Sequence, residues 1–178
     1  QHFNFEFEVE LSTRPEKYIG DLENWNKAEE ILKRKIQIIP NWRINEGDGA
    51  FYGPKIDVKI KDSLKREHQL GTVQLDFNLP ERFNLKYKTE DGYEQPVLIH
   101  RAIFGSVERF IAILLEHTSG KLPFWLSPRQ ICIVPVANKY NDYANIIKEK
   151  FIDKFSETIV DDSTETMNKK IRNAEKLK

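Results

Sequence analysis

The sequence has very little sulfur: one cysteine, Cys132, and one methionine among 178 residues. A single thiol excludes an internal disulfide and an all-cysteine metal site, and it matches the usage of a reducing compartment. Charge of a dominant sign is also missing, with 28 basic against 28 acidic residues. No global field therefore attracts nucleic acid or an anionic membrane, and any polyanion has to be held by a local patch. No apolar run approaches the ~18 residues that a membrane span needs. The opening QHFNFEFEVE has no initiator methionine, basic segment or apolar signal core. It starts in mid-strand, as a chain cut from something longer would. What is present is an ordinary soluble composition, 31% charged and 39% apolar, enough for one sizeable domain or two small ones.

Phe3, Phe5, Phe7 and Val9 alternate with polar residues, which predicts a half-buried strand. Trp25, Ala28, Leu32 and Ile36 recur at steps of three and four, which predicts an amphipathic helix over 22–39. NWRINEGDGAFYGPK is rich in turn formers and reads as a loop. Strands follow at Ile56–Ile60 and at about Gln69–Phe77, then an Asp-Gly hairpin turn in KTEDGYEQ, a buried strand over Val97–Phe104 and a helix from Val107 to about Glu116. In that helix Val107, Phe110, Ile111 and Leu114 form the expected core stripe, with Arg109 and Glu116 on the back. This is an α+β pattern, an antiparallel sheet flanked by helices.

The pattern changes across TSGKLPFWLSPRQ, which sets a boundary between domains at 1–122 and 123–178. ICIVPV reads as a strand buried on both faces. A helix over Tyr140–Phe155, a short strand at ETIVD and a second helix from DSTETMNKKI follow, with Asp162 and Glu165 as a capping box. That βαβα order predicts the start of an α/β domain with a parallel sheet.

Four features carry chemistry. GTVQLDF sets Thr72, Gln74 and Asp76 on one strand face, which is either a solvated sheet face or the floor of a site for a polar ligand. GAFYGPKI offers the phenol of Tyr52 and the cation of Lys55 beside glycines that permit close backbone approach, although Gly-Pro alone marks a turn. His100 shares its strand face with apolar residues, where a hydrogen-bonded core histidine and a metal ligand are both open readings. Arg109, on a helix with a narrow polar face, calls for an anion or an aromatic plane to stack on.

Taken together, LSTRPEKYIG, GDGAFYGPKIDVKIKDSLKREHQLGTVQLDFNLPERF, PVLIHRAIFGSVERFIAILLEH, PFWLSPRQICIVPV and DDSTETMNKKIRNAEKL resemble, in order and spacing, the threonyl-tRNA synthetase family of class II aminoacyl-tRNA synthetases. The resemblance implies a class II synthetase-type antiparallel sheet flanked by helices, carrying motif 3, followed by the start of an α/β anticodon-binding domain. It implies an aminoacyl-tRNA ligase that activates L-threonine with ATP and Mg2+ and transfers it to tRNA(Thr). It further implies a cytoplasmic homodimer with no membrane partner. In GSVERF, Arg109 matches the motif 3 arginine that stacks on adenine near the phosphates. By the same resemblance His100 is one of three ligands of a Zn2+ ion. Gln69 and Thr72 lie with ATP, and Tyr52, Lys55, Gln74 and Ser106 lie in the threonine and adenylate pocket. Simple alternation sets Gln69 on the opposite face from Gln74, and only a bulge reconciles the two. A hydrophobic pocket separates isosteres poorly, so the family's zinc, held by both the amino group and the hydroxyl of threonine, rejects valine.

Departures from the family pattern are equally specific. Motifs 1 and 2 and the other two zinc ligands are absent, and Cys132 lies in a later strand and cannot stand in for the missing cysteine. The expectation is that 1–178 alone neither activates threonine nor holds zinc tightly. Two alternatives are another class IIa synthetase of the prolyl type and a catalytically inactive, synthetase-like tRNA-binding protein.

Overall fold

A computed structural model describes residues 2–176 of the chain. They form two compact units that divide between His117 and Thr118.

The first unit is built on a five-stranded sheet in the order β2-β1-β3-β4-β7, with β1 Phe7–Ser12, β2 Trp42–Asn45, β3 Lys55–Lys61, β4 Glu67–Asp76 and β7 Leu98–Ala102. β1 runs parallel to β2, and the β1–β3, β3–β4 and β4–β7 pairs are antiparallel. β5 Tyr87–Thr89 and β6 Gly92–Glu94 form the hairpin expected around the Asp-Gly turn. The apolar back of the sheet is covered by α1 Leu22–Ile36, where Leu32 and Ile36 pack on Val9 and Leu11 in one buried cluster. Asp21 caps α1, its carboxylate accepting from the backbone N–H groups of Glu23 and Asn24. Trp25 is fully buried and its indole N–H donates to the Ile19 carbonyl at 2.8 Å. NLPERF closes β4 with a short helix, α2 Asn78–Arg82.

Several expectations are corrected. The strand begins at Phe7, not Phe3, because Asn4 adopts a left-handed φ of 54° that ends the alternation. The freed rings of Phe3 and Phe5 pack instead edge-on to Phe110, at 5.1 and 6.3 Å. Helix α3 Val107–Thr118 accordingly buries Phe110, Ile113 and Leu114, while Val107 and Ile111 are exposed. The stripe runs at 110, 113, 114 and 117, toward those rings, and His117 meets Phe5 at 4.5 Å. The segment expected to be a loop contains β2, a four-residue strand. β7 is not buried: among the described residues it pairs only with β4, and its own residues are largely exposed.

In the second unit, β8 Ile131–Ile133 and β9 Thr158–Val160 pair in parallel, joined through α4 Asn141–Ile152. β8 is half-buried on both faces, not fully enclosed. Helix α5 Met167–Lys176 opens too late for the expected Asp162–Glu165 capping box: Thr166 precedes it, its carbonyl accepting from the N–H groups of Lys169 and Lys170, and Glu165 pairs with Lys169 at 2.8 Å instead. Lys170 is buried and its ammonium donates to the Asp161 carbonyl at 2.8 Å, so the basic stretch of α5 is not uniformly solvated. Burial pushes the half-buried Cys132 thiol up, Asp161 adds to the effect, and Lys170 only partly offsets it. Among the described residues no helix is long and apolar enough to cross a membrane.

The β3–β4 turn is fastened by Asp62, which is buried and accepts from the backbone N–H groups of Leu64 and Arg66, from Arg66 Nε and from His68 Nε2. Burial raises its pKa, but the hydrogen bonds from His68, Arg66 and Leu64 outweigh that and hold the carboxyl well below its usual range. A depressed folded-state pKa contributes stability that is complete above the unfolded value near 4 and is lost as pH falls through the folded value. Thermal midpoints between about pH 6 and pH 2 should therefore fall less steeply for Asp62→Asn than for the wild type. Parallel curves for the two proteins refute the contribution.

Candidate functional site

The polar face of the sheet is a continuous floor. In register across β3, β4 and β7, Lys55 sits opposite Gln74, which sits opposite His100, and Asp57 sits opposite Thr72. A bulge interrupts β4 where Val58 pairs with Gly71 but Lys59 pairs with Gln69, leaving Leu70 unpaired and turned into the core. That extra residue brings Gln69 onto the same face as Thr72: its amide lies 3.0 Å from Thr72 Oγ1. Strict alternation misses it, and the one local signal is Gly71, an isolated glycine inside the strand.

A cavity of about 800 Å³ lies over this floor, lined by Tyr52, Lys55, Gln69, Thr72, Gln74 and His100 together with Asp48, Ala50, Ile99, Arg101 and Ala102. Six of the eight residues singled out from sequence thus share one cavity. Ser106 and Arg109 do not line it. They open α3, where Ser106 Oγ donates to Glu108 at 2.8 Å and weakly accepts the Arg109 backbone N–H at 3.4 Å. Glu108 acts here as a partner in the helix start, its carboxyl held below the usual range by its own backbone N–H and by Ser106.

The wall is the loop from Asp48 to Pro54, stitched to both neighbouring strands. The Gly49 N–H donates to the Thr13 carbonyl, the Leu75 N–H to the Pro54 carbonyl, and the Phe77 N–H to the Tyr52 carbonyl, at 2.7, 3.1 and 3.0 Å. This lays Tyr52 over β4, where its phenol donates to Gln74 Oε1 at 3.2 Å. Gly53 is required for the protein's own packing, since a Cβ there would stand 1.9 Å from the Leu75 carbonyl oxygen. The sequence suggested a close approach to a ligand, and the close approach is to backbone.

Two ionised groups anchor the floor. Lys55 Nζ lies 2.9 Å from Asp57 and 3.3 Å from Asp48. Burial lowers its pKa, but hydrogen bonds and charge from Asp57 and Asp48 prevail and raise it. His100 Nε2 lies 2.9 Å from Asp76 Oδ2. Asp76 is buried. Burial raises its pKa, but the Leu79 N–H, His100 and the Asn78 N–H together hold it low. In the neutral imidazole the hydrogen on Nε2 is taken by Asp76 and Nδ1 keeps its lone pair, the arrangement that suits a histidine to hold a metal. Among the described residues no three His, Cys, Asp or Glu side chains group to hold an ion, so His100 fits one coordination position and no more. Asp57, buried in the floor opposite Thr72, is the residue that the sequence reading passed over, because its place in the alternation of β3 looks like that of any solvated polar residue.

Residues 3–118 match the tRNA synthetase class II core domain (G, H, P, S and T), and residues 130–178 match the anticodon binding domain. The chain belongs to the class II tRNA synthetase family. Within that family it is similar to threonine–tRNA ligases. It is 55% identical to the cytoplasmic threonine–tRNA ligase of Saccharomyces cerevisiae over 99% of this chain and 25% of that protein. It is 54% identical to cytoplasmic threonine–tRNA ligase 1 of Rattus norvegicus, over 97% of this chain and 26% of that protein. The RNA binding domain of threonyl-tRNA synthetase from Cryptosporidium parvum superposes with a TM-score of 0.86 at 49% identity, covering 99% of this chain and 45% of that chain. The chain spans about a quarter of the length of the curated relatives it matches.

Because Gly53 sits against β4 backbone, Gly53→Ala should push the wall off the floor. The expected cost is about 1–3 kcal/mol of stability by chemical denaturation, and an unchanged midpoint shows that the contact is not as close as described.

Proposed function

We propose that this chain works as part of a threonine–tRNA ligase, with residues 1–122 belonging to the catalytic domain and 123–178 to an anticodon-binding domain. The observation that carries the reading is the row Lys55, Gln74 and His100 across β3, β4 and β7, in a chain whose relatives bear that activity in their names. Those names also weigh against a prolyl-type enzyme. Nothing in the floor itself speaks for a decayed site, since each polar group there has a defined partner.

The substrates of the reading are L-threonine, ATP with Mg2+ and tRNA(Thr). In the first step a threonine carboxylate oxygen attacks the α-phosphorus and pyrophosphate leaves. In the second the tRNA terminal hydroxyl attacks the acyl carbon and AMP leaves. Positioning and charge neutralisation supply most of the acceleration. Lys55 is a fixed cation for an anionic group of the substrate. Gln74 has its carbonyl taken by Tyr52, so it offers its N–H groups to an acceptor. Arg109, exposed at the start of α3, is free to stack on the adenine face. His100, oriented by Asp76, supplies one ligand to zinc, with the rest contributed from sequence outside this chain. Zinc bound there would read the amino and hydroxyl groups of threonine against the isosteric valine. The protein acts in the cytoplasm as a homodimer.

The test is threonine-dependent ATP–pyrophosphate exchange by the full-length ligase containing this segment, with its metal content measured alongside. His100→Ala should lose zinc and at least about a hundredfold in kcat/KM for threonine. Arg109→Ala should keep its zinc and weaken ATP use alone. Normal zinc content in His100→Ala removes the ligand role, and exchange that does not depend on threonine removes the reading.

A further inference from the structure

Asp57 does not line the cavity, yet it touches three residues that do, Lys55, Gln69 and Thr72. Its side chain is fully buried on β3. Oδ1 accepts from Gln69 Nε2 at 2.6 Å and from Thr72 Oγ1 at 2.7 Å. Oδ2 accepts from Ser12 Oγ at 3.1 Å and lies 2.9 Å from Lys55 Nζ. An ionised carboxylate only accepts, so each of its four neighbours has to turn a hydrogen toward it. The consequence is sharpest for Gln69. Its amide nitrogen faces both Asp57 and Thr72 Oγ1, the latter at 3.0 Å. The N–H end is then held inward, and the carbonyl Oε1 is the end left for the cavity. Gln74 is held the opposite way round, with its carbonyl on Tyr52 and its N–H groups free.

We propose that Asp57 is a positioning residue that sets the hydrogen-bond polarity of the cavity floor. It holds Gln69 as an acceptor and Lys55 as a cation. The ligand group recognised at Gln69 is then a donor, a hydroxyl or an ammonium, while the group at Gln74 is an acceptor. The inference rests on the ligase reading of the cavity. A buried charge suits this task because a neutral amide flips at little cost in water. Against a desolvated carboxylate, the wrong orientation leaves two acceptors facing each other.

Gln69→Glu in the full-length ligase tests this. When protonated, the introduced carboxyl keeps a hydrogen for Asp57 and a carbonyl for the cavity, so it mimics the wild-type polarity. When ionised, it sets a second carboxylate against Asp57, and the neighbouring charge raises the pKa of the pair. The kcat/KM of Gln69→Glu in threonine-dependent exchange should therefore fall about tenfold relative to wild type as pH rises from about 6 to about 8. In the double variant Asp57→Asn/Gln69→Glu the new amide on β3 donates to the new carboxylate on β4, and the fall should disappear. A Gln69→Glu profile parallel to wild type overturns the proposal, as does a double variant that keeps the fall. If the double variant does not fold, the single-variant profile decides. Absence of threonine-dependent exchange in the wild type overturns the ligase reading, and this inference with it. Exchange that is present with a flat Gln69→Glu profile overturns the inference alone.

Discussion

The site depends on one extra residue in β4. The bulge at Leu70 lets a single strand satisfy two demands that strict alternation sets against each other. Leu70 and Val58 face the apolar side, where α3 and the phenylalanine rings pack, while Gln69, Thr72 and Gln74 all face the cavity. Gly71 sits at the irregularity, where a Cβ would crowd Val58 at 3.3 Å. A bulge also raises local twist, and here it converts a row of two polar side chains into a row of three. Pair the same residues without the bulge, in strict alternation, and Gln69 would fall into the core while Leu70 would face the cavity.

Buried charge on the same polar face does the rest. Glu10, fully buried on β1, lies against Arg43 and Lys59 and accepts from Asn45. Burial raises its pKa, but Lys59 and Arg43 prevail and hold it low. Asp57 does the same next door for Lys55, Gln69 and Thr72. A sheet face holding two desolvated carboxylates keeps them only because cations and N–H groups answer each one. Breaking such a set costs more than forming it gains. The polar face is therefore rigid without an apolar core behind every residue, and a site that must bind charged groups has a framework already polarised for them.

What could be read from the sequence was whatever local periodicity controls. Trp25, Ala28, Leu32 and Ile36 fixed α1 and its buried face, and the alternation of Ile56, Val58 and Ile60 fixed β3. The ordered motifs picked out six residues that the fold brings to one cavity. What could not be read was set by partners distant in sequence. β2 is four residues long inside a run of turn formers, and it exists because β1 offers a parallel edge. The stripe of α3 had two self-consistent phases, and the rings of Phe3 and Phe5 select the one through Ile113. β7 looks buried by composition, yet its outer edge has no strand among the described residues. Ser106 and Arg109 lie at the start of α3, off the cavity, and nothing in local spacing separates them from the six that line it.

The two glutamines show why residue type alone understates such a site. Gln69 and Gln74 are the same side chain on the same strand face, and by composition they are interchangeable. Their surroundings make them opposites: a buried carboxylate takes the N–H end of one, and a tyrosine hydroxyl takes the carbonyl end of the other. Discrimination among small polar ligands requires donors to meet acceptors, and a mismatch costs ~1–3 kcal/mol once the groups are buried by the ligand. A floor with fixed and opposite polarities a few residues apart imposes that requirement at two points at once. A third comes from Lys55, whose charge Asp57 and Asp48 stabilise. The order of these groups, acceptor, donor and cation, is a property of the hydrogen-bond network across the polar face.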